Sequence, residues 1–417
     1  MQTLPQTQPV KKYLPLSFLV IFLGYLVFGL SENIKGPAIP QMQIDYGIDE
    51  LQVGFLLAIN SIGFLIACSF TGAFSSKFGI KLTSLLAFGS MAVSGVFIYF
   101  SSNFATFSAS YFLMYLGNGM LEIALAILAA RIFTKNTGFM MNLSHFFYGL
   151  SSTAAPMMAA GFMGMTFFGN GELGWQGMYF FMLSLCIIPM IPAFLSTFPV
   201  DKTIAQERMP IKMFLKDRVA WYIIIILSFG VILELSIAGW LVNFLERSFQ
   251  WSSTAASAML SIFFLCFMVG RLLLGFVTDK IGFMISIIIF SGLAGITTIL
   301  ATLFGSSGVW LYAAAGFGIA PVYPTIMALL AKRYSKGIDA AITVTVTLMG
   351  IVVVISNLFL GALIEFFKGW FTSFLGPEIG LMRGFQAGFI FIGVCGLLCS
   401  FFSIILYRYL KKRNEVM

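Results

Sequence analysis

Twelve apolar runs dominate the chain, at approximately residues 14–40, 51–73, 82–102, 106–133, 138–166, 176–198, 219–246, 254–277, 283–304, 308–332, 338–367 and 384–410. A spanning helix needs about 20 apolar residues, and lipid admits only structures that satisfy their own backbone amides. Twelve such runs, joined by short charged connections, predict an all-α membrane protein of twelve transmembrane helices. Composition excludes the alternatives. Apolar residues make up 59% of the 417 and charged ones only 10%, against roughly 45–50% and 25% in soluble domains. A soluble enzyme, a nucleic-acid binder and a disordered chain are ruled out. The sequence holds no H-E-x-x-H, Walker loop, nucleophile elbow or metal-ligand cluster, and its single histidine leaves little for catalysis. Neither enzymatic activity, nor a metal or other cofactor, nor ATP drive is expected. The five cysteines sit inside apolar runs without a C-x-x-C pair, and read as small core residues.

Orientation follows from the basic residues. The first run follows Lys11-Lys12, is too long for a signal peptide and lacks a small-residue cleavage site. With the N-terminus in the cytoplasm, 20 of the 24 Lys and Arg fall on the inner side, leaving Lys35, Arg247, Lys368 and Arg383 elsewhere. The other side collects acids: Asp45, Asp49, Glu50, Glu172, Glu246, Glu365 and Glu378. That bias places both termini in the cytoplasm of a multi-pass cell-membrane protein. The +8 net charge therefore reports topology, and lipid rather than nucleic acid is the expected surrounding partner.

The longest polar stretch, 199–218, divides the chain into residues 1–198, a cytoplasmic linker and residues 219–417. The two halves echo each other. Gly72–Lys81 (GAFSSKFGIK) and Gly275–Phe283 (GFVTDKIGF) both fit G-x-x-x-[S/D]-K-x-G, and GNG at Gly117–Gly119 answers GFG at Gly316–Gly318. Two six-helix bundles of repeated design suggest a secondary transporter. On these motifs the chain resembles the major facilitator superfamily, whose loop between the second and third helices carries G-x-x-x-D-[RK]-x-G. Gly275, Asp279, Lys280 and Gly282 keep that pattern, while the first half has Ser76 in the acid's place. Leu116–Ala124, Asn142–Pro156, Glu234–Leu245, Gly270–Gly282 and Gly316–Leu329 are similar to the fucose:proton symporter branch, which includes glucose and galactose permeases. The resemblance implies the major facilitator fold. It also implies that the Leu121-Glu122 pair on the fourth span belongs to a coupling and sugar-binding site. It departs at the first span, where the family's acid aligns with Gly36 and Glu32 stands one turn earlier.

Charges at membrane depth are costly and mark function by default. Glu122 lies nine residues before Arg131, roughly 13 Å from the span's end at 1.5 Å per residue. His145 lies at a similar depth on the next span, so the two are expected to meet and carry the coupling proton; a structural hydrogen bond is the plainer reading of each. Glu234 sits mid-span, followed by Trp240 and Asn243. Carboxylate, indole and amide suit a sugar's hydroxyls and C–H face, although Trp240 also reads as an interfacial anchor. Glu32 and Lys35, three apart, can meet on one helix face ahead of a break at Pro37 and Pro40, as a solute contact or as a structural ion pair. Asn142, which shares a face with His145, and Tyr323 complete the expected binding residues. Asn118 and Asn357 read as interhelical partners. Arg271, Asp279, Arg333 and Arg131 read as gate parts, against the plainer reading of solvated topology charges.

The expected activity is alternating-access transport of a small polar solute, above all a monosaccharide, with protons or sodium, by a monomer. The alternative is an exporter of drugs or amphipathic metabolites, whose adaptable cavity the 23 Met and 47 Phe could line. Because Ser76 lacks the acid, the first half should lock its inner side weakly. Restoring it with Ser76→Asp is expected to favour the outward-open population; inner-side cysteine accessibility measures this, and an unchanged rate counts against the idea.

Overall fold

The computed structural model describes residues 14–133, 137–166, 171–198, 211–334 and 338–415, which are helical almost throughout. The first span is two helices, α1 (Leu14–Asn33) and α2 (Lys35–Tyr46). The break falls at Ile34, one turn ahead of where the prolines stand, and Pro40 remains inside α2. Proline acts upstream: Pro37 offers no N–H to the Asn33 carbonyl and its ring crowds that group, so the ladder opens before it. Four unbroken helices follow: α3 (Glu50–Phe78), α4 (Ile80–Tyr99), α5 (Phe104–Ile132) and α6 (Thr137–Met163). The sixth span divides into α7 (Gly174–Ser184) and α8 (Ile187–Leu195).

A short helix α9 (Ile211–Leu215) lies in the central polar stretch, of which residues 199–210 are outside the described residues. The second set comprises α10 (Arg218–Phe249), α11 (Ser253–Ile281), α12 (Phe283–Phe304), α13 (Leu311–Ile319), α14 (Val322–Arg333), α15 (Ile338–Leu375) and α16 (Pro377–Lys412). Among the described residues, 11 stretches are long and apolar enough to cross a membrane. The further helix in the series, α6, has 27 residues and carries Ser144, His145, Ser151, Ser152 and Thr153, polar groups that dilute its hydropathy.

The bundle has a linker end and a loop end. The linker end holds the start of α1, the α3–α4 turn and the C-terminus; the loop end holds the turns after α2, α10 and α15. The repeated motif explains itself at the linker end. Its last glycine makes the tight α3–α4 and α11–α12 turns, with φ of +87° at Gly79 and +91° at Gly282, a region that glycine enters without steric cost. The G-x-G motifs serve packing. A Cβ on Gly117 would meet Met91 at 2.7 Å and one on Gly119 the Phe64 carbonyl at 2.6 Å, so α5 lies tight against α4 and α3. Gly316 and Gly318 do the same for α13 against α11 and α12. Small residues at such crossings are how membrane helices gain close contact.

The largest core belongs to the second half and takes in Ile39, Ile48, Val53 and Leu57 of the first. Trp240, Phe244, Phe263, Tyr312 and Phe385 fill the second. Phe88, Met91 and Leu121 fill the linker-end part of the first, and Phe107, Tyr111, Trp175 and Tyr179 its loop-end part. Outward faces are apolar as well: Ile188, Ile191, Phe194, Leu272, Phe276 and Leu303 are all exposed, as suits a surface wetted by lipid.

Arg333, read from sequence as a gate part, donates to Asp217 (3.2 Å) and Glu415 (3.0 Å), tying the end of α14 to the start of α10 and the tail of α16. Asp217 also caps α10 by accepting from the Val219 N–H at 2.9 Å, and takes a 2.7 Å bond from the Tyr334 hydroxyl. Partial burial works against its charge, yet those two hydrogen bonds and Arg333 hold the carboxyl below the usual aspartate range. A carboxylate so depressed stabilises fully above its ordinary pKa, and that contribution is lost as pH falls through the native value. Asp217→Ala should therefore cost about 1 kcal/mol at neutral pH. In thermal unfolding, the gap to the parent protein should shrink in acid.

Candidate functional site

Several mid-helix polar groups converge in a cavity between the halves. α5 contributes Glu122, α6 His145 and Tyr148, α10 Glu234, α11 Arg271, α14 Tyr323 and α1 Glu32, with Tyr25 of α1 buried behind them. The Tyr25 and His145 rings lie 5.3 Å apart, and Phe28 packs on Tyr148 at 5.2 Å. The field of Glu122 reaches Tyr25, Cys68 and Tyr323, and that of Arg271 reaches His145, Tyr148, Glu234 and Tyr323. Glu122 makes no hydrogen bond to any described residue. It is half-buried, His145 is exposed, and Glu234 and Arg271 retain 17% and 28% side-chain exposure. Exposure this deep in the bundle means a water-filled cavity, the setting in which intramembrane charges are tolerated.

Of the residues the sequence singled out, Glu122, His145, Glu234 and Tyr323 are brought together. Glu32 and Lys35 form the ion pair their spacing predicts, with Lys35 also donating to the Tyr115 hydroxyl at 3.3 Å. Lys35 is buried rather than reaching a surface, so the pair braces the helix break. Asn142 lies on α6, but its side chain falls outside the described residues. Asn118 accepts from Ser31 at 2.8 Å between α1 and α5, the interhelical role expected of it.

Two expectations are corrected. Trp240 is fully buried against Phe385 in the second core, at a ring distance of 6.2 Å. Six residues separate it from Glu234, which turns the two about 120° apart on the helix. Asn243 faces the other half and donates to Gln43 at 2.8 Å. Arg271, read from sequence as a gate part, stands at the depth of Glu234. α11 runs on to Ile281, which puts Arg271 about 15 Å from the linker end. Its Nη2 stands 4.0 Å from Glu234 Oε1, and its guanidinium lies 4.2 Å from the Phe267 ring. Asp279 is exposed and makes no hydrogen bond or ion pair among the described residues, and Arg131 sits half-buried in the last turn of α5. Tyr25 was not legible in sequence, because a lone tyrosine in an apolar run carries no signal.

Sequence reasoning also missed the loop-end contact between the halves. Glu50, fully buried at the start of α3, accepts from Arg247 of α10 and from Lys368 of α15 at 2.5 Å. Gln43 donates to Glu50 at 3.3 Å while accepting from Asn243 and, at 2.9 Å, from Arg247. Lys368 is shared with Glu365 at 3.0 Å. Below this network Asn357 donates to the Leu57 carbonyl and to Ser61, both at 3.2 Å. There the helices nearly touch: a Cβ on Gly54 would lie 2.9 Å from the Gly361 Cα. The cavity is thus closed at the loop end, while Ser76, Lys77, Asp279 and Lys280 at the linker end are exposed.

Residues 21–334 and 234–416 match the Major Facilitator Superfamily. The Protein TsgA homolog of Buchnera aphidicola subsp. Baizongia pistaciae (strain Bp) is 20% identical over 323 residues, spanning 75% of this chain and 79% of that protein. Three solved structures share the fold. A bacterial homolog of the human lysosomal transporter Spinster, inward-facing and unoccupied, superposes with TM-score 0.81 at 12% identity, covering 96% of this chain and 98% of that one. A D-xylose-proton symporter gives 0.74 at 15%, covering 94% and 97%. A variant of the nucleoside transporter NupG gives 0.77 at 14%, covering 95% and 100%.

Glu50→Gln removes the shared anion of the loop-end network. Arg247 and Lys368 are 30% and 26% exposed, so water screens part of the loss, leaving about 1–2 kcal/mol or roughly tenfold in population. A cysteine placed at Leu57, between the halves, should label correspondingly faster with a thiol reagent in that variant. An unchanged rate would mean that packing alone holds the closure.

Proposed function

The chain belongs to the major facilitator superfamily, and we propose that it is a secondary active transporter carrying a small polar solute, above all a monosaccharide, coupled to protons. The observation that carries this reading is Glu122: a carboxylate in mid-helix, reached by water, with no hydrogen bond to any described residue. Its neighbours in charge are already matched, Glu32 by Lys35 and Glu234 by Arg271. Glu122 is the surplus charge, so a proton on it brings the cavity close to neutrality and lowers the cost of moving the site between its two exposures. His145, on α6 and exposed to the same cavity, is a second titratable group that such a cycle could use.

Residues 1–198 and 219–417 act as the two moving bundles, joined by a linker at 199–218. Both termini lie in the cytoplasm of the cell membrane, where the 20 basic residues gather. In that orientation the loop-end network of Glu50, Arg247 and Lys368 closes the outer side. A single chain holds the complete cavity, which supports a monomeric carrier. The cluster of ionisable groups and tyrosines favours a polar solute over the lipophilic cargo of a drug exporter, and similarity to sugar and nucleoside transporter structures points the same way.

Uptake into proteoliposomes under an imposed proton or sodium gradient tests this. Glu122→Gln should abolish gradient-driven accumulation while leaving solute exchange near the parent rate. Full uphill uptake by that variant, or accumulation driven by sodium alone, would overturn the assignment of Glu122.

A further inference from the structure

The pair formed by Glu234 and Arg271 differs from every other charged contact described within the bundle. Lys35 is hydrogen-bonded to Glu32, and Glu50 is held by two cations. Arg271 and Glu234 instead face each other at 4.0 Å, beyond hydrogen-bond length. Arg271 Nε is buried and has no acceptor. A guanidinium presents its donors as a planar fork, and the Phe267 ring lies 4.2 Å from this one. The molecule therefore holds a guanidinium and a carboxylate acceptor on neighbouring helices, both partly exposed and without a hydrogen bond between them.

The charge balance decides what fits between them. A carboxylate would satisfy the fork but face the like charge of Glu234. An ammonium would satisfy Glu234 and face the guanidinium. A hydroxyl does both jobs, accepting from one side and donating to the other without adding charge. Two hydroxyls on adjacent carbons can satisfy Arg271 and Glu234 in parallel.

On the reading that this cavity is the solute site of a transporter, we propose that Glu234 and Arg271 form a clamp for two neighbouring hydroxyls of an uncharged sugar, and that this clamp sets specificity. The planar spacing of the fork's donors makes it stereoselective. A sugar whose adjacent hydroxyls point apart reaches only one arm. Tyr148 and Tyr323, within the field of both charges, border the clamp and supply further hydroxyl contacts.

Equilibrium binding to the purified, detergent-solubilised protein tests the clamp without any gradient or flux. The probes are D-galactose, D-glucose, D-xylose and L-fucose, the deoxy analogues of each, D-galacturonate, D-glucuronate and D-glucosamine. At least one neutral sugar should bind saturably, and removing one of the two clamped hydroxyls should weaken it at least about tenfold. Glu234→Gln and Arg271→Lys should each weaken the parent sugar by about 10- to 100-fold and shrink the parent-to-deoxy ratio toward one. A purely structural role would lower stability or affinity without flattening that ratio. Preference for a uronate or for glucosamine, binding of none of the neutral sugars, or an unchanged ratio in both variants would overturn the clamp. Failure of proton coupling leaves this result untouched, because Glu122→Gln flux reports that separately.

Discussion

A charge inside a bilayer has to be paired or wetted, and this architecture is organised by how each of its few interior charges meets that demand. Glu50 is paired twice and excludes water, so it works as a fastening. Lys35 is paired once, to Glu32, and braces a helix that its own proline has broken. Glu234 and Arg271 are half paired and half wetted, which is the condition of a binding surface. Glu122 is wetted and unpaired. The same residue type is thus doubly paired, singly paired, half paired or unpaired, according to what surrounds it.

The two ends of the molecule are built on different terms. At the loop end the halves meet through an ion network above a glycine crossing, with Gln43 linking the Glu50 side of the contact to Asn243 and Arg247. At the linker end the described polar contacts stay inside one half: Lys81 donates to the Phe194 and Ser196 carbonyls, and Arg333 gathers Asp217 and Glu415. These bonds stiffen each half where it stands alone. Such internal ties hold each half together as a body at this end.

Much of this was legible in the sequence, for reasons that lie in the physics of the signal. Apolar runs announce spans because lipid demands about 20 residues, and the duplicated G-x-x-x-[S/D]-K-x-G motif announces the repeat because one turn geometry requires glycine twice. Glu122, His145 and Glu234 stood out because charge is rare in such runs. What sequence could not supply was rotation and partnership. Trp240 and Asn243 follow Glu234 closely along α10 yet face a core and the opposite half. Arg271 was misplaced because apolarity faded before the helix ended, which made a mid-depth arginine look terminal. Glu50, Arg247 and Lys368 read as surface charges, since residues so far apart in the chain announce no contact.

The crossing of Gly54 and Gly361 has a mechanical consequence. Backbone meets backbone there, with no side chain to compress, so the contact is a hard fulcrum placed near one end of a long lever. From Gly54 to the far end of α3 is 24 residues, about 36 Å of rigid helix. Tilting about that point by roughly 10° would sweep the distant end through about 6 Å, the span of a sugar ring, while the fulcrum itself barely moves. Leverage of this kind lets a small rearrangement among Glu50, Arg247 and Lys368 govern a wide aperture on the opposite side.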